Sequence, residues 1–298
     1  MLGGLTNVSY ICTMSIVYFK ATNHRYINSE GIPYESVSGL WKPYAKPFCA
    51  ESVSVKKAYQ DLELGLYNSA KKLLGYDSEE LIPFLHDNSK YPLEMIMTHA
   101  KEYSDTWEAK SAFGTAFHKK MEDLDRELGY AINNFNGKKY PLIHIDVKKG
   151  YDNQSPATPL MDLPDGYIPE FLAKSDNHKV AGQIDKLFVE TIDGKRYVDI
   201  DDWKTDKEIL MKPAFFDRTN GGFASLYSPF DHIYDTNYWK YCLKISTYAR
   251  MLEMEGFIVR SLAFTHVVVS EDLEIQKSTR YNVPYKPFEV DLAMSSKC

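Results

Sequence analysis

Residues 179–204 constrain the fold more tightly than any other stretch of the chain. They read KVAGQIDKLFVE, TIDGKR and YVDIDDWK, two strand-like runs flanking Asp193-Gly194. Asp-Gly is a favoured centre for a type I′ hairpin turn, in which both residues take positive φ. A turn centred there sets Val189 opposite Val198, Leu187 opposite Ile200, Asp185 opposite Asp202 and Gln183 opposite Lys204. Side chains alternate along a strand, so these pairs share one face of the sheet. That face is apolar near the turn and ends in two carboxylates beside a lysine. On the other face Lys186 opposes Asp201, a favourable pair.

Like charges directly across a ladder destabilise it. Asp185 and Asp202 would have Cβ atoms about 4.5–5.5 Å apart, a separation at which two carboxylates chelate a hard divalent cation. Two readings follow: a surface hairpin with scattered charges, or a metal site. Lys204, two residues after Asp202 and on the same face, fits the second. A lysine there can orient or deprotonate a water, or neutralise a phosphate oxygen.

Upstream, residues 51–130 follow a mostly helical pattern. It is clearest over 110–129, where Phe113, Phe117, Met121, Leu124 and Leu128 form one apolar stripe. Residues 15–40 read as short strands and a turn, and 134–178 as loops and edge strands. Downstream, a helix over 236–255 carries Tyr238, Tyr241, Ile245, Tyr248 and Leu252 on one face and stops at Gly256. A last β run, FIVRSLAFTHVVV, follows it. Helix, hairpin, helix and strand in that order make an α/β sandwich. The expected organisation is one domain over 1–298, with N-terminal strands and a helical elaboration to 105. A core over 106–275 would carry the 134–178 insertion, and a tail would begin at 276.

Composition narrows the function. The 298 residues suffice for a sizeable core. A net charge of −6 argues against a generic polybasic nucleic-acid binder but leaves room for a local basic groove. The lysine pairs at 56–57, 71–72, 119–120, 138–139 and 148–149 are ordinary solvated positions singly, and a phosphate-binding rim together. Trp107, Tyr151, Trp203 and Tyr241 are candidates for stacking on unpaired bases. Cys12, Cys49, Cys242 and Cys298 lie far apart, which suits neither a disulfide framework nor a zinc or iron–sulfur site and fits a reducing cytosol. No apolar run reaches the length of about 18 residues that a membrane span needs, and the N-terminus lacks a basic leader region. Met14 is a candidate start. The expectation is a soluble, cytoplasmic chain that is not exported and engages no membrane.

AGQID, with DWKT following so that Asp202 lies 17 positions after Asp185, resembles the second and third motifs of the PD-(D/E)XK nucleases in their RecB-like branch. GTAFHKKME, from Gly114 to Glu122, is similar to that branch's G-x-x-x-H helix. LKISTYARMLE, from Leu243 to Glu253, is similar to its Q-x-x-x-Y helix, with Lys244 where the pattern has Gln. The four motifs run in order over 114–253. The DWKT stretch is also similar to the mitochondrial genome maintenance exonucleases, and the longer run around 229–253 to bacteriophage members.

The resemblance implies a restriction-endonuclease-like α/β core, a central mixed β-sheet flanked by helices, with a helical N-terminal elaboration. It implies that His118 is a metal ligand, joining Asp185, Asp202 and the backbone carbonyl of Trp203. Lys204 would be the catalytic lysine, Tyr248 would hold nucleic acid or brace the site, and Glu170 would be a further acid of the same centre. Lys244, Gln183 and Thr205 would support the site or contact DNA. By themselves His118 reads as a surface residue at the edge of the stripe and Tyr248 as a core residue. Glu122, one turn after His118, could orient its ring or pair with Lys119 or Lys120 in solvent. The implied cofactor is Mg²⁺ or Mn²⁺, a histidine ligand tilting the site toward Mn²⁺ over Ca²⁺; no iron–sulfur cluster is expected. The expected activity is metal-dependent hydrolysis of single- or double-stranded DNA, by an exonuclease working with replication, recombination or repair proteins. A structure-specific endonuclease and a catalytically silent nucleic-acid-binding subunit are the alternatives.

Overall fold

The hairpin forms in the register that its turn chemistry sets. Pairs run from Ile192 with Lys195 through Val189 with Val198 and Leu187 with Ile200 to Lys186 with Asp201. Asp193 and Gly194 take φ of 50° and 72°, the positive values a type I′ turn requires. A computed structural model of the chain describes residues 15–213, 216–217 and 222–296. The N-terminal stretch with Cys12 and Met14, and Cys298, lie outside the described residues.

The strands are β1 (Val17–Lys20), β2 (Arg25–Asn28), β3 (Pro33–Ser36), β4 (Tyr130–Ile132), β5 (Lys139–Pro141), β6 (Asn153–Gln154), β7 (Gly166–Ser175), β8 (Val180–Ile192), β9 (Lys195–Lys204), β10 (Phe216–Asp217), β11 (Gly222–Phe223), β12 (Ile258–Val269) and β13 (Ile275–Asn282). The helices are α1 (Val37–Trp41), α2 (Ala50–Leu62), α3 (Leu64–Leu74), α4 (Leu81–Asn88), α5 (Leu93–Leu128), α6 (Asn237–Met254) and α7 (Pro287–Ser295).

The chain divides into two compact units. One takes the residues up to Ala45 together with those from Lys120 on; the other is Lys46–Lys119. The main unit is built on a mixed sheet in the order β13-β12-β9-β8-β3-β2-β1-β6, with β7 also paired to β8. β8 runs antiparallel to both β7 and β9, whereas β12 is parallel to β9 and β3 is parallel to β8. Parallel neighbours need a crossover, and α6 provides it between β9 and β12. Thr236 caps α6 by accepting from the Trp239 N–H, and Gly256 ends it with φ 99°. The buried stripe of α6, including Leu243, Ile245, Tyr248 and Leu252, packs in one core with Leu187, Val189, Val198 and Ile200 of the hairpin. Residues 276–298, expected as a tail, supply most of β13 and all of α7, whose Val290, Ala293 and Met294 are buried in that same core. The expected insertion at 134–178 contains β7, which pairs along its length with β8 and, among the described residues, with no other strand of the sheet.

The second unit is helical: α2, α3, α4 and α5 as far as Lys119. It has its own core around Tyr59, Tyr67, Leu81, Leu85 and Ile96, where the Tyr59 hydroxyl meets His86 Nδ1 at 2.5 Å. Among the described residues, no helix is long and apolar enough to cross a membrane.

Candidate active site

The β8–β9 ladder stops at Lys186 and Asp201. The next residues out are Asp185 and Asp202, the two carboxylates set opposite each other by the turn. They do not close another ladder pair. Asp185 instead turns its Oδ2 onto the backbone N–H of Trp203, 2.7 Å away, so a side-chain acceptor takes a donor of β9 where the ladder ends.

The β7–β8 ladder breaks at the same level. It pairs Pro169 with Lys186 and Phe171 with Ile184, and skips Glu170 and Asp185 between them. Glu170 sits in left-handed backbone, φ 48°, a conformation that L residues rarely adopt. The kink resets the alternation of both strands. Ile168 and Phe171 enter the same core, as do Ile184 and Leu187, a step of three where an unbroken strand steps by two. Asn153 on β6 donates to the Glu170 carbonyl at 2.5 Å. Three acids from three consecutive strands, Glu170, Asp185 and Asp202, thus meet at one level of the sheet.

Two lysines accompany them. Lys204 is buried at the end of β9, and its ammonium donates to Asp202 Oδ2 and, at 2.8 Å, to the Trp203 carbonyl. These are the two atoms of β9 expected to face a metal. Lys244, on α6, brings its Nζ to 3.6 Å from Asp202 Oδ1. That oxygen is buried and accepts no hydrogen bond among the described residues. Burial pushes the Lys204 pKa down to about 7, the Lys244 charge pushes the same way, and Asp185, Asp206 and Glu170 oppose them. Burial also works against the charge on Lys244, but Tyr248, Asp185, Tyr26 and Glu170 outweigh it and its pKa is raised.

Around this centre, Gln183 donates toward Glu170 Oε2 at 3.4 Å, and Thr205 is half-buried just beyond Lys204. Tyr248 is 2% exposed, with Lys244 Nζ 5.6 Å from its ring centroid. It braces the site from within and offers no face for a base. Trp203 is buried too, its ring covered by Lys186 Nζ at 4.4 Å. Lys186 opposes Asp201 in the ladder as expected, yet its ion pair is with Asp125, at 3.7 Å. Asp201 accepts from Thr265 at 2.9 Å and faces Arg280 Nε at 3.5 Å, and burial raises its pKa. Asp199 is held by Arg260 through two contacts, at 2.9 and 2.5 Å, and by Asn133 at 2.7 Å. The acids of VDIDDWKT therefore divide by face, and only Asp202 joins the lysine centre.

His118 lies on α5 within the helical unit, half-buried, its ring edge-on to Phe117. Glu122 accepts from Arg126 at 2.8 and 3.0 Å, and Lys120 pairs with Glu274 at 2.5 Å. Of the other stacking candidates, Tyr151 lies on Tyr18 with centroids 4.5 Å apart, and Tyr241 donates to the Asp206 carboxylate. Trp107 belongs to the helical unit, edge-on to Phe48.

Two residues of the centre carry no expectation from the sequence. Asp206 binds Tyr241 through its carboxylate and His266 Nε2 through its carbonyl, at 2.7 Å. Its place two residues after Lys204, in KTD, is a signal that could have found it. Tyr26, on β2, is buried near Lys244 and Glu170, and its pKa is pushed up to about 12, chiefly by burial. No local pattern ties it to the hairpin.

The donors assembled here are carboxylate oxygens, which suit a hard divalent cation. One carboxylate oxygen of Glu170 and one of Asp185 lie within 4.8 Å of each other, close enough to share one ion. No family model, no curated protein and no solved structure matches the chain.

Proposed function

We propose that the chain is a metal-dependent deoxyribonuclease of PD-(D/E)XK type, acting as an exonuclease in DNA replication, recombination or repair within the cytoplasm of a bacterial or phage-infected cell. The observation that carries this reading is the meeting of Glu170, Asp185 and Asp202 with Lys204 and Lys244 where both hairpin ladders break. Structural ion pairs do not need strands to be kinked so that three acids converge.

The ion, Mg²⁺ or Mn²⁺, would be held by the carboxylates of Glu170 and Asp185. When bound, it supplies Lewis-acid polarisation of a phosphate oxygen and acidity to a coordinated water. Lys204, fixed between Asp202 and the Trp203 carbonyl, orients the attacking water against the phosphorus. Lys244 adds positive charge where the phosphodiester's negative charge grows during attack. Asp202 holds both ammoniums, and the Tyr248 ring lies beneath the Lys244 ammonium.

The test is a time course on end-labelled linear and closed-circular DNA, single- and double-stranded, with Mg²⁺ or Mn²⁺. Lys204→Ala and Asp185→Asn serve as controls. Metal-dependent loss of linear DNA alone, absent in both variants, is the expected result. Cutting of circles would replace exonuclease by endonuclease. Binding without cutting, alike in wild type and variants, would overturn the catalytic reading in favour of a binding subunit.

A further inference from the structure

We infer that Lys244 fills, as a side-chain ammonium, the place of a second cation, so that the centre takes a single divalent ion per chain. The inference rests on the metal-dependent reading above and deepens it.

Asp202 is the pivot. Its side chain has no solvent exposure, Lys204 donates to Oδ2, and Lys244 Nζ stands 3.6 Å from Oδ1. One carboxylate thus faces two ammoniums, and its charge is more than balanced. A dication placed at Oδ1 would meet the Lys244 ammonium at close range in a poorly screened interior, where like charges repel strongly. Oδ1 makes no hydrogen bond among the described residues, so Lys244 reaches it as a charge and not as a donor. That is the relation a cation has to its counter-ion.

Lys244 is also placed with little freedom. It rises from the buried face of α6, between Leu243 and Ile245, and its ammonium lies 5.6 Å from the Tyr248 ring centroid. Its side chain is 25% exposed, enough to meet a phosphate and too little to swing into solvent. Lys244→Gln keeps a polar group of similar reach but removes the charge. Asp202 would then hold one ammonium, and its Oδ1 would be open to a second ion.

The experiment counts Mn²⁺ bound to the full chain by titration calorimetry, with electron paramagnetic resonance of the free ion as an independent count. Wild type should take one Mn²⁺, Lys244→Gln and Lys244→Met two, and Lys244→Arg, which restores the charge, one. Two ions in the wild type overturn the inference, as does one ion in both charge-removing variants. If the wild type takes no Mn²⁺, the metal-dependent reading itself falls and the inference with it. One bound ion without DNA cleavage would sink the nuclease reading alone and leave the ion count standing. Circular dichroism of each variant ensures that the count is made on folded protein.

Discussion

Tyr248 lies against the backbone of Gly182, so closely that a Cβ there would stand 2.8 Å from its Cε1 and 3.0 Å from its hydroxyl oxygen. The glycine of AGQID therefore serves the tyrosine of the downstream helix, and the two motifs meet as one packing unit. The same Cβ would also stand 2.9 Å from Val37. Gly182→Ala should lower stability by about 1–3 kcal/mol, the usual range for overpacking a core. The shift of the urea midpoint measures it. An unchanged midpoint would mean that the ring can move aside.

Glu170 holds left-handed backbone at φ 48°, which disfavours an L residue by about 1–2 kcal/mol. Glu170→Gly should leave the protein as stable or more stable, by up to about 1 kcal/mol. It should also abolish Mn²⁺ binding, because the carboxylate is gone. Thermal melts and metal titration on the same sample separate the two effects. A less stable Glu170→Gly would show that the side chain is needed for folding.

Arg260 holds the buried carboxylate of Asp199 and reaches Glu190 at 2.6 Å. Arg260→Ala leaves the buried Asp199 charge with Asn133 as its hydrogen-bond donor and no counter-ion among the described residues, and breaking such a pair costs about 3–5 kcal/mol. Adding Asp199→Asn should restore part of that loss. Chemical denaturation of the single and double variants tests the coupling, and strictly additive losses would deny it.

Lys204 has a folded-state pKa of about 7 against about 10.4 in an unfolded chain. Between those values the unfolded chain binds a proton that the folded one does not, so stability rises with pH across that window. Above the upper value the full contribution is present, and it is lost as pH falls through about 7. Urea denaturation in metal-free buffer from pH 6.5 to 10.5 should show this rise in the wild type, and Lys204→Met should flatten it. Identical slopes would place the Lys204 pKa near its ordinary value.

Much of this was legible in the sequence, and particular residues show where legibility ends. Asp193-Gly194 carried the register as far as Lys186 and Asp201, because turn type and strand twist are local properties. The stripe from Tyr238 to Leu252 carried α6 for the same reason. The same register set Asp185 opposite Asp202 and Gln183 opposite Lys204, and neither pair forms. Glu170 resets the alternation by taking a backbone conformation that nothing in YIPEFLAK announces, since the usual markers of positive φ are Gly, Asn and Asp. Tyr26 reaches the centre only because β3 pairs with β8, a contact between distant segments that no local window contains. The division at Ala45 and Lys120 was equally silent, because helices on both sides of Lys120 form one unbroken α5.

The order of strands along the chain has a kinetic meaning. β7, β8 and β9 are consecutive and joined by residues 176–179 and by Asp193-Gly194 alone. Hairpins of this kind close in about 1–10 μs, whereas the pairing of Ser36 with Ala181 must first close a loop through the whole helical unit. Glu170, Asp185, Asp202 and Lys204 all sit on the fast segment. Four charged residues of the centre are therefore carried by one continuous stretch of chain with short local connections, whereas Lys244 comes from α6 and Tyr26 from β2.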